Sequence, residues 1–173
     1  YGLRNQADWW AENPAFDGPL TRLTIRRSSG PPLTVETPLY GRHNVGNLLA
    51  AGALSECLSI PPAAIRKAAR TFKGVRRRQE VRGEQRGVTV VDDFAHHPTA
   101  VLETIAAVRE KYSQQRLVAV FEPRSNSSRR SIFQDQYAES FARADLVFIA
   151  EPPLMDKIAP GERFSSQTLV EDL

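Results

Sequence analysis

The chain has 173 residues, 41% of them hydrophobic and 25% charged, the balance of a globular protein with room for one domain or for pieces of two. Its single cysteine, Cys57, excludes an internal disulfide framework or a cysteine metal cluster. No run approaches the roughly 18 apolar residues of a membrane helix, and the net charge of +3, carried mostly by Arg, lacks the aromatic interleaving of a single-strand nucleic-acid binder.

Arg dominance suits bidentate recognition of carboxylate or phosphate instead. Cys57 lies in an apolar run and is expected to be a small buried hydrophobe, in keeping with a reducing cytoplasm. Neither a membrane nor a nucleic acid is an expected partner. The first residue is Tyr1 rather than Met, which suggests a piece of a longer chain.

Residues 1–20 are rich in Asn, Asp, Pro and Trp and carry little periodic signal; Trp9 and Trp10 are expected to pack in a core. Two alternating runs follow, Leu23-Thr24-Ile25-Arg26 and Leu33-Thr34-Val35-Glu36. With Ser28-Ser29-Gly30-Pro31-Pro32 between them they read as a β-hairpin with a loose turn.

A helix is expected over 44–58, with Leu48, Leu49, Ala51, Gly52 and Leu54 forming a small-residue face. Asn44 is a candidate N-cap. Asn44 and Asn47 are three apart and share one side of the first turn. Their carboxamides suit either capping or reading the donor and acceptor edge of a base. Pro62 starts a second helix over 63–72 that would bury Ile65, Ala68, Ala69 and Phe72, and Lys73-Gly74 ends it. A domain boundary is placed here, giving 1–73 and 74–173.

Arg76-Arg77-Arg78 then reads either as a solvated patch or as a source of a phosphate ligand. Segments 79–83 and 88–92 form a second expected hairpin, turning through Glu84-Gln85-Arg86-Gly87. The pattern afterwards alternates: helix 98–112 with Val101, Ile105, Val108 and Tyr112 inward, strand 117–121, a polar loop, helix 132–144 with Phe133, Tyr137 and Phe141 at i, i+4, i+8, and strand 146–150. Strand–helix–strand–helix–strand implies an α/β fold with a parallel sheet. The chain closes in an expected helix over 166–173 with no further strand, which is read as truncation.

Chemistry concentrates in two loops at the carboxyl ends of strands, 92–97 and 122–130, which the switch-point rule places on one crevice. The first reads Asp92-Asp93-Phe94-Ala95-His96-His97. A metal reading makes Asp92, Asp93, His96 and His97 ligands, though His43 is the only other histidine. A structural reading makes Asp93 a helix cap and His97 a packed ring. A nucleotide reading has Asp93 accept from ribose hydroxyls, with His96 and Arg78 near phosphate. No G-x-x-x-x-G-K-[ST] loop occurs, so a γ-phosphate cradle would have to come from chain upstream.

Several segments together resemble the Mur ligase family. Gly41-Arg42-His43-Asn44-Val45-Gly46-Asn47 resembles the end of its central ATPase domain. Phe72-Lys73-Gly74-Val75-Arg76-Arg77-Arg78 and Asp92-Asp93-Phe94-Ala95-His96-His97-Pro98-Thr99 resemble the start of its C-terminal domain. Phe121-Glu122-Pro123-Arg124-Ser125-Asn126-Ser127 differs from the Phe-Gln-Pro-His-Arg of alanine-adding members and resembles the branch that ligates a murein tripeptide.

The resemblance implies a Rossmann-like C-terminal Mur ligase domain, mostly parallel sheet with flanking helices and truncated, preceded by the end of the central ATP-binding domain. It implies an ATP- and Mg²⁺-dependent ligase joining L-Ala-γ-D-Glu-meso-diaminopimelate to UDP-N-acetylmuramate through an acyl phosphate, in cytoplasmic peptidoglycan recycling. The alternatives are a UDP-N-acetylmuramate–L-alanine ligase and a non-catalytic nucleotide- or peptide-binding module. By the same resemblance His43, Asn44, Asn47, Arg78, Asp93 and His96 bind ATP, and Arg124, Ser125 and Asn126 bind the peptide. No catalytic residue and no metal ligand falls in this stretch. The magnesium ligands and phosphate loop are expected upstream, and this polypeptide alone is expected to be inactive.

Overall fold

The computed structural model describes residues 1–173 except Asn5, Asp17 and Ser29, so the part of the expected Ser28–Pro32 turn that falls on Ser29 lies outside the described residues. The chain divides into two compact units, Tyr1–Arg76 and Arg77–Leu173.

The first unit is an antiparallel sheet of β1 (Trp9–Ala15), β2 (Thr21–Arg27) and β3 (Leu33–Thr37), in that order, with helices α1 (Arg42–Cys57) and α2 (Pro62–Thr71). Alternation puts Leu23 and Ile25 of β2 and Leu33 and Val35 of β3 into the core with Trp9, Ala11, Val45, Leu49, Ile65 and Ala69. The opposite face carries cross-strand ion pairs, Arg22 with Glu36 and Arg26 with Glu12, each 2.8 Å. The β2–β3 hairpin is the one expected. β1 was not expected, because Glu12-Asn13-Pro14 interrupts its pattern. It tolerates them as an edge strand with an irregularity between Glu12 and Ala15, where Asn13 has φ 51.

Both helices bury a narrower stripe than the sequence suggests. α1 buries Val45, Leu49 and Gly52 at i, i+4, i+7, while Ala51 and Leu54 face outward. α2 buries Ile65 and Ala69, leaving Ala68 exposed and Phe72 51% exposed. Cys57 is exposed as well: in the last turn of α1 it is Glu56, bonded to Trp9 and Arg27, that faces the sheet. The expected burial of Cys57 is therefore corrected.

The second unit opens on a hairpin of β4 (Glu80–Gln85) and β5 (Val88–Asp92). β4 runs two residues further than expected, because Arg86 and Gly87 both take positive φ, 53 and 76, and make a two-residue turn. Helix α3 (Pro98–Lys111) buries Val101, Ile105 and Val108. β6 (Val118–Phe121) and β7 (Leu146–Ile149) pair in parallel, Val118 opposite Leu146 and Phe121 opposite Ile149.

Between β6 and β7 the expected single helix is a 3-10 turn, Ser131–Phe133, followed by a short α4 (Gln134–Ser140). Helix α5 (Ser166–Glu171) closes the chain. Phe121, Tyr137, Phe141, Phe164 and Leu169 join Val101 and Ile105 in one core. The α/β class is as expected, but the parallel ladder is confined to β6 and β7. β5 pairs antiparallel with β4 and, among the described residues, shares no ladder with β6. Ala119, Phe121, Val147 and Ile149 pack against the core, whereas Val118, Val120, Leu146 and Phe148 on the other face are exposed. No helix among the described residues is long and apolar enough to cross a membrane.

Candidate functional site

In the first unit the candidate residues lie at the start of α1. Gly41, with φ 91, turns the chain into the helix, and the Asn44 and Val45 amides already donate to its carbonyl. Asn44 is therefore inside the first turn and is not the N-cap. Its Nδ2 donates back to the Tyr40 carbonyl at 2.9 Å. Asn47 Nδ2 in turn reaches Asn44 Oδ1 at 3.4 Å. The two carboxamides thus form a short chain, with Asn47 exposed at its end and His43 half-buried beside it. A carboxamide has two N–H donors and an acceptor oxygen, so Asn47 retains both kinds of group for a ligand.

In the second unit the loop after β5 is fixed mainly by main-chain groups. Asp93 Oδ2 accepts from the Gln79 amide at 2.8 Å and Oδ1 from the Ala95 amide at 2.7 Å. The Phe94 amide donates to the Arg77 carbonyl at 2.9 Å. Arg77 and Gln79 both take positive φ, 56 and 50, which bends the 77–79 segment against this loop. Asp93 does not cap the next helix. That role falls to His97, whose Nδ1 accepts from the Thr99 amide at 3.3 Å while its ring meets Phe133 edge-on at 4.7 Å. Pro98 at the first helical position has no N–H to satisfy.

Three side chains gather around the Phe94 ring, which is 47% exposed. The guanidinium carbons of Arg77 and Arg78 stand 5.1 and 5.9 Å from its centroid, and the His96 ring meets it edge-on at 5.1 Å. Arg77 Nε also lies 3.6 Å from Asp92 Oδ2. His96 Nδ1 is 2.9 Å from the Phe94 carbonyl, and a carbonyl can only accept, so the proton is on Nδ1 and Nε2 is left for another partner.

The 122–130 loop has a different character. Ser125 Oγ accepts from the Ser128 amide at 3.0 Å and donates to Ser128 Oγ at 2.7 Å, and Ser128 is fully buried. Ser125 therefore shapes the turn with its own hydroxyl. Arg124 and Asn126, on either side of it, are exposed, and Arg124 Nε lies 3.6 Å from Glu122 Oε1. Arg129 donates to the Ser125, Pro153 and Leu154 carbonyls, and Arg130 pairs with Glu162. These two arginines hold the segment after β7 rather than offering themselves to a ligand.

The two loops are tied to one helix. The Tyr137 hydroxyl on α4 donates to the His96 carbonyl, and its ring lies 5.1 Å from that of Phe121, the last residue of β6. Burial pushes the Tyr137 hydroxyl up to about 12, so it stays a neutral donor. Sequence reasoning saw Tyr137 only as core, gave Phe94 no role, and read Arg77 only as part of the arginine triplet. An aromatic between an acidic pair and a histidine pair was the available signal.

At the amino end of β7, away from both loops, Arg109, Glu110, Arg143 and Asp145 line an open depression of about 560 Å³. There Arg109 holds Asp145 at 2.6 Å, and this hydrogen bond first, then that of the Leu117 amide, keeps the carboxyl below the usual range. Those groups are engaged with one another. Among the described residues no three His, Cys, Asp or Glu side chains come together as a metal would require, so no magnesium site is assigned to this chain.

A family model described as "Mur ligase, glutamate ligase domain" matches residues 77–172. The chain is 38% identical over 149 residues to a UDP-N-acetylmuramate–L-alanine ligase of Desulforapulum autotrophicum, covering 86% of this chain and 32% of that one. It is 48% identical over 119 residues to the UDP-N-acetylmuramate–L-alanyl-γ-D-glutamyl-meso-2,6-diaminoheptandioate ligase of Escherichia coli, covering 68% of this chain and 26% of that one. Among solved structures, a murein peptide ligase of Psychrobacter arcticus superposes with a TM-score of 0.62 at 31% identity, over 99% of this chain and 34% of that one. The chain thus spans between a quarter and a third of the length of the curated relatives quoted. Within that span the match is sufficient: the chain belongs to the Mur ligase family, and residues 77–172 correspond to its glutamate ligase domain.

Proposed function

We propose that this chain is part of an ATP-dependent ligase that joins the L-Ala-γ-D-Glu-meso-diaminopimelate tripeptide to UDP-N-acetylmuramate, in cytoplasmic peptidoglycan recycling. In that reaction the muramate carboxylate takes the γ-phosphoryl group of ATP, the tripeptide amine attacks the acyl phosphate, and phosphate leaves as the amide forms. The observation that carries this reading is the 122–130 loop. Its Glu122-Pro123-Arg124-Ser125-Asn126 sequence places an exposed guanidinium and an exposed carboxamide on a turn that Ser125 and Ser128 hold rigid. A guanidinium suits the several carboxylates of a tripeptide better than the single one of alanine. The identity to the E. coli tripeptide ligase, higher although over a shorter span, supports the same choice.

In this reading residues 1–73 are the end of an ATP-binding domain and 74–173 a peptide-binding domain. His43, Asn44 and Asn47 contact adenine, where the carboxamide chain offers donor and acceptor together. Arg78 and His96 approach the phosphates, and Asp93 approaches the ribose. Each Asp93 oxygen accepts one amide hydrogen and retains a lone pair for a sugar hydroxyl. These residues bind and orient, and the work of a ligase of this kind is largely positioning and charge stabilisation.

The second reading is a UDP-N-acetylmuramate–L-alanine ligase, favoured by the relatives of that name that match more of the chain. A binding module without catalysis is the third. Assay of the full-length gene product for ADP release with UDP-N-acetylmuramate and each acceptor separates them. Release with the tripeptide and not with L-alanine is expected. Release with L-alanine alone overturns the choice of acceptor, and release with neither favours the binding module.

A further inference from the structure

The Phe94 ring is nearly half exposed on a polar loop and belongs to neither hydrophobic core. Packing does not account for it there. What surrounds it is charge: two guanidinium groups near its face and an imidazole at its edge. The negative face of an aromatic ring attracts a cation and restricts where a long, flexible side chain can go.

The two arginines differ in what else they meet. Arg77 is also beside Asp92, which offsets its charge. Arg78 is exposed, and no carboxylate is described within 4 Å of it. Arg78 thus supplies the cation, and His96 Nε2 donates to an anion when it too carries a proton, so that one ring holds both groups.

We propose that Phe94 is a positioning residue for polyphosphate: its ring preorients the Arg78 guanidinium and the His96 imidazole toward one anionic ligand. The proposal rests on the assignment of Arg78 and His96 to the ATP phosphates made above and adds the residue that orders them. Preorientation removes rotamers that binding would otherwise have to freeze, so losing the ring weakens anion binding without removing either anion-binding group.

Two variants separate this from a merely structural role. Phe94→Leu keeps apolar volume and removes the π face, whereas Phe94→Tyr keeps the face. In the full-length enzyme Phe94→Leu is expected to raise the KM for ATP about three- to tenfold, the size of a cation–π contact, with kcat and the KM for UDP-N-acetylmuramate unchanged. Phe94→Tyr is expected to behave as the parent. An unchanged ATP KM in Phe94→Leu overturns the proposal, and so does an equal loss in every kinetic constant together with a lowered Tm.

A second measurement uses the present chain and inorganic tripolyphosphate, followed by NMR of the Arg78 and His96 side chains. Both are expected to shift on titration, with a weaker apparent affinity in Phe94→Leu. Equal affinities overturn the proposal. If the parent full-length enzyme releases no ADP, the ligase reading fails, while the tripolyphosphate titration still decides the role of Phe94.

Discussion

The Tyr137 hydroxyl, fully buried on α4, donates to the main-chain carbonyl of His96. A core side chain thereby fixes the height of a loop that carries candidate ligand-binding groups. Tyr137→Phe leaves that carbonyl without its donor and is expected to lower stability by about 1–2 kcal/mol, read from the urea unfolding midpoint. The pH dependence has a definite sign. The hydroxyl titrates near its ordinary value of 10.0 when unfolded and at about 12 when folded. The folded state therefore holds the proton more tightly, and the stability from this group is complete below pH 10 and lost as pH rises toward 12. Tyr137→Phe should flatten that decline relative to the parent chain.

Asp93 ties two backbone segments together through the Gln79 and Ala95 amides. Asp93→Ala leaves both amides without an acceptor and should cost about 2–3 kcal/mol in a thermal melt, with Asp93→Asn, which retains one acceptor oxygen, falling between. In the full-length enzyme either change is expected to raise the ATP KM before the tripeptide KM. An equal rise in both would count against a nucleotide role.

Arg124 has the opposite profile. Its side chain is 73% exposed and among the described residues pairs with Glu122 at 3.6 Å, so Arg124→Ala should leave the Tm of this chain unchanged. The effect is expected in the tripeptide KM, more than in the ATP KM. A rise of equal size in both would remove Arg124 from acceptor selection.

Gly52 faces the Trp9 ring so closely that a Cβ would lie 2.7 Å from Trp9 Cζ3. A rigid ring in a filled core cannot give way as a flexible side chain does. Gly52→Ala is expected to destabilise the first unit by about 1–3 kcal/mol, seen as a lower unfolding midpoint in tryptophan fluorescence.

Periodic segments were legible. Alternation in β2 and β3 and the i, i+4, i+8 spacing of Phe133, Tyr137 and Phe141 each predicted the inward face. The limits of the helical stripes were not: Leu54 lies off the Val45, Leu49, Gly52 face, and Phe72 falls at the C-cap, just past the end of α2. The start of α1 escaped notice because Gly41 begins the helix through its backbone, where Asn44 offered a side-chain cap. In the loops, residue types were legible and partners were not. Asp93 bonds to an amide 14 residues away that no side-chain pattern reveals, and Ser125 spends its hydroxyl on its own turn.

The donors that Asp93 binds belong to the main chain, and every residue except proline has one. The bonds to Asp93 therefore place no demand on the side chains of Gln79 and Ala95, which are limited instead by a positive φ at Gln79 and by core packing at Ala95, whereas position 93 needs an acceptor on a short stem. One carboxylate thus demands an acceptor at a single position, while its two donors are constrained by backbone conformation and packing rather than by the bond itself.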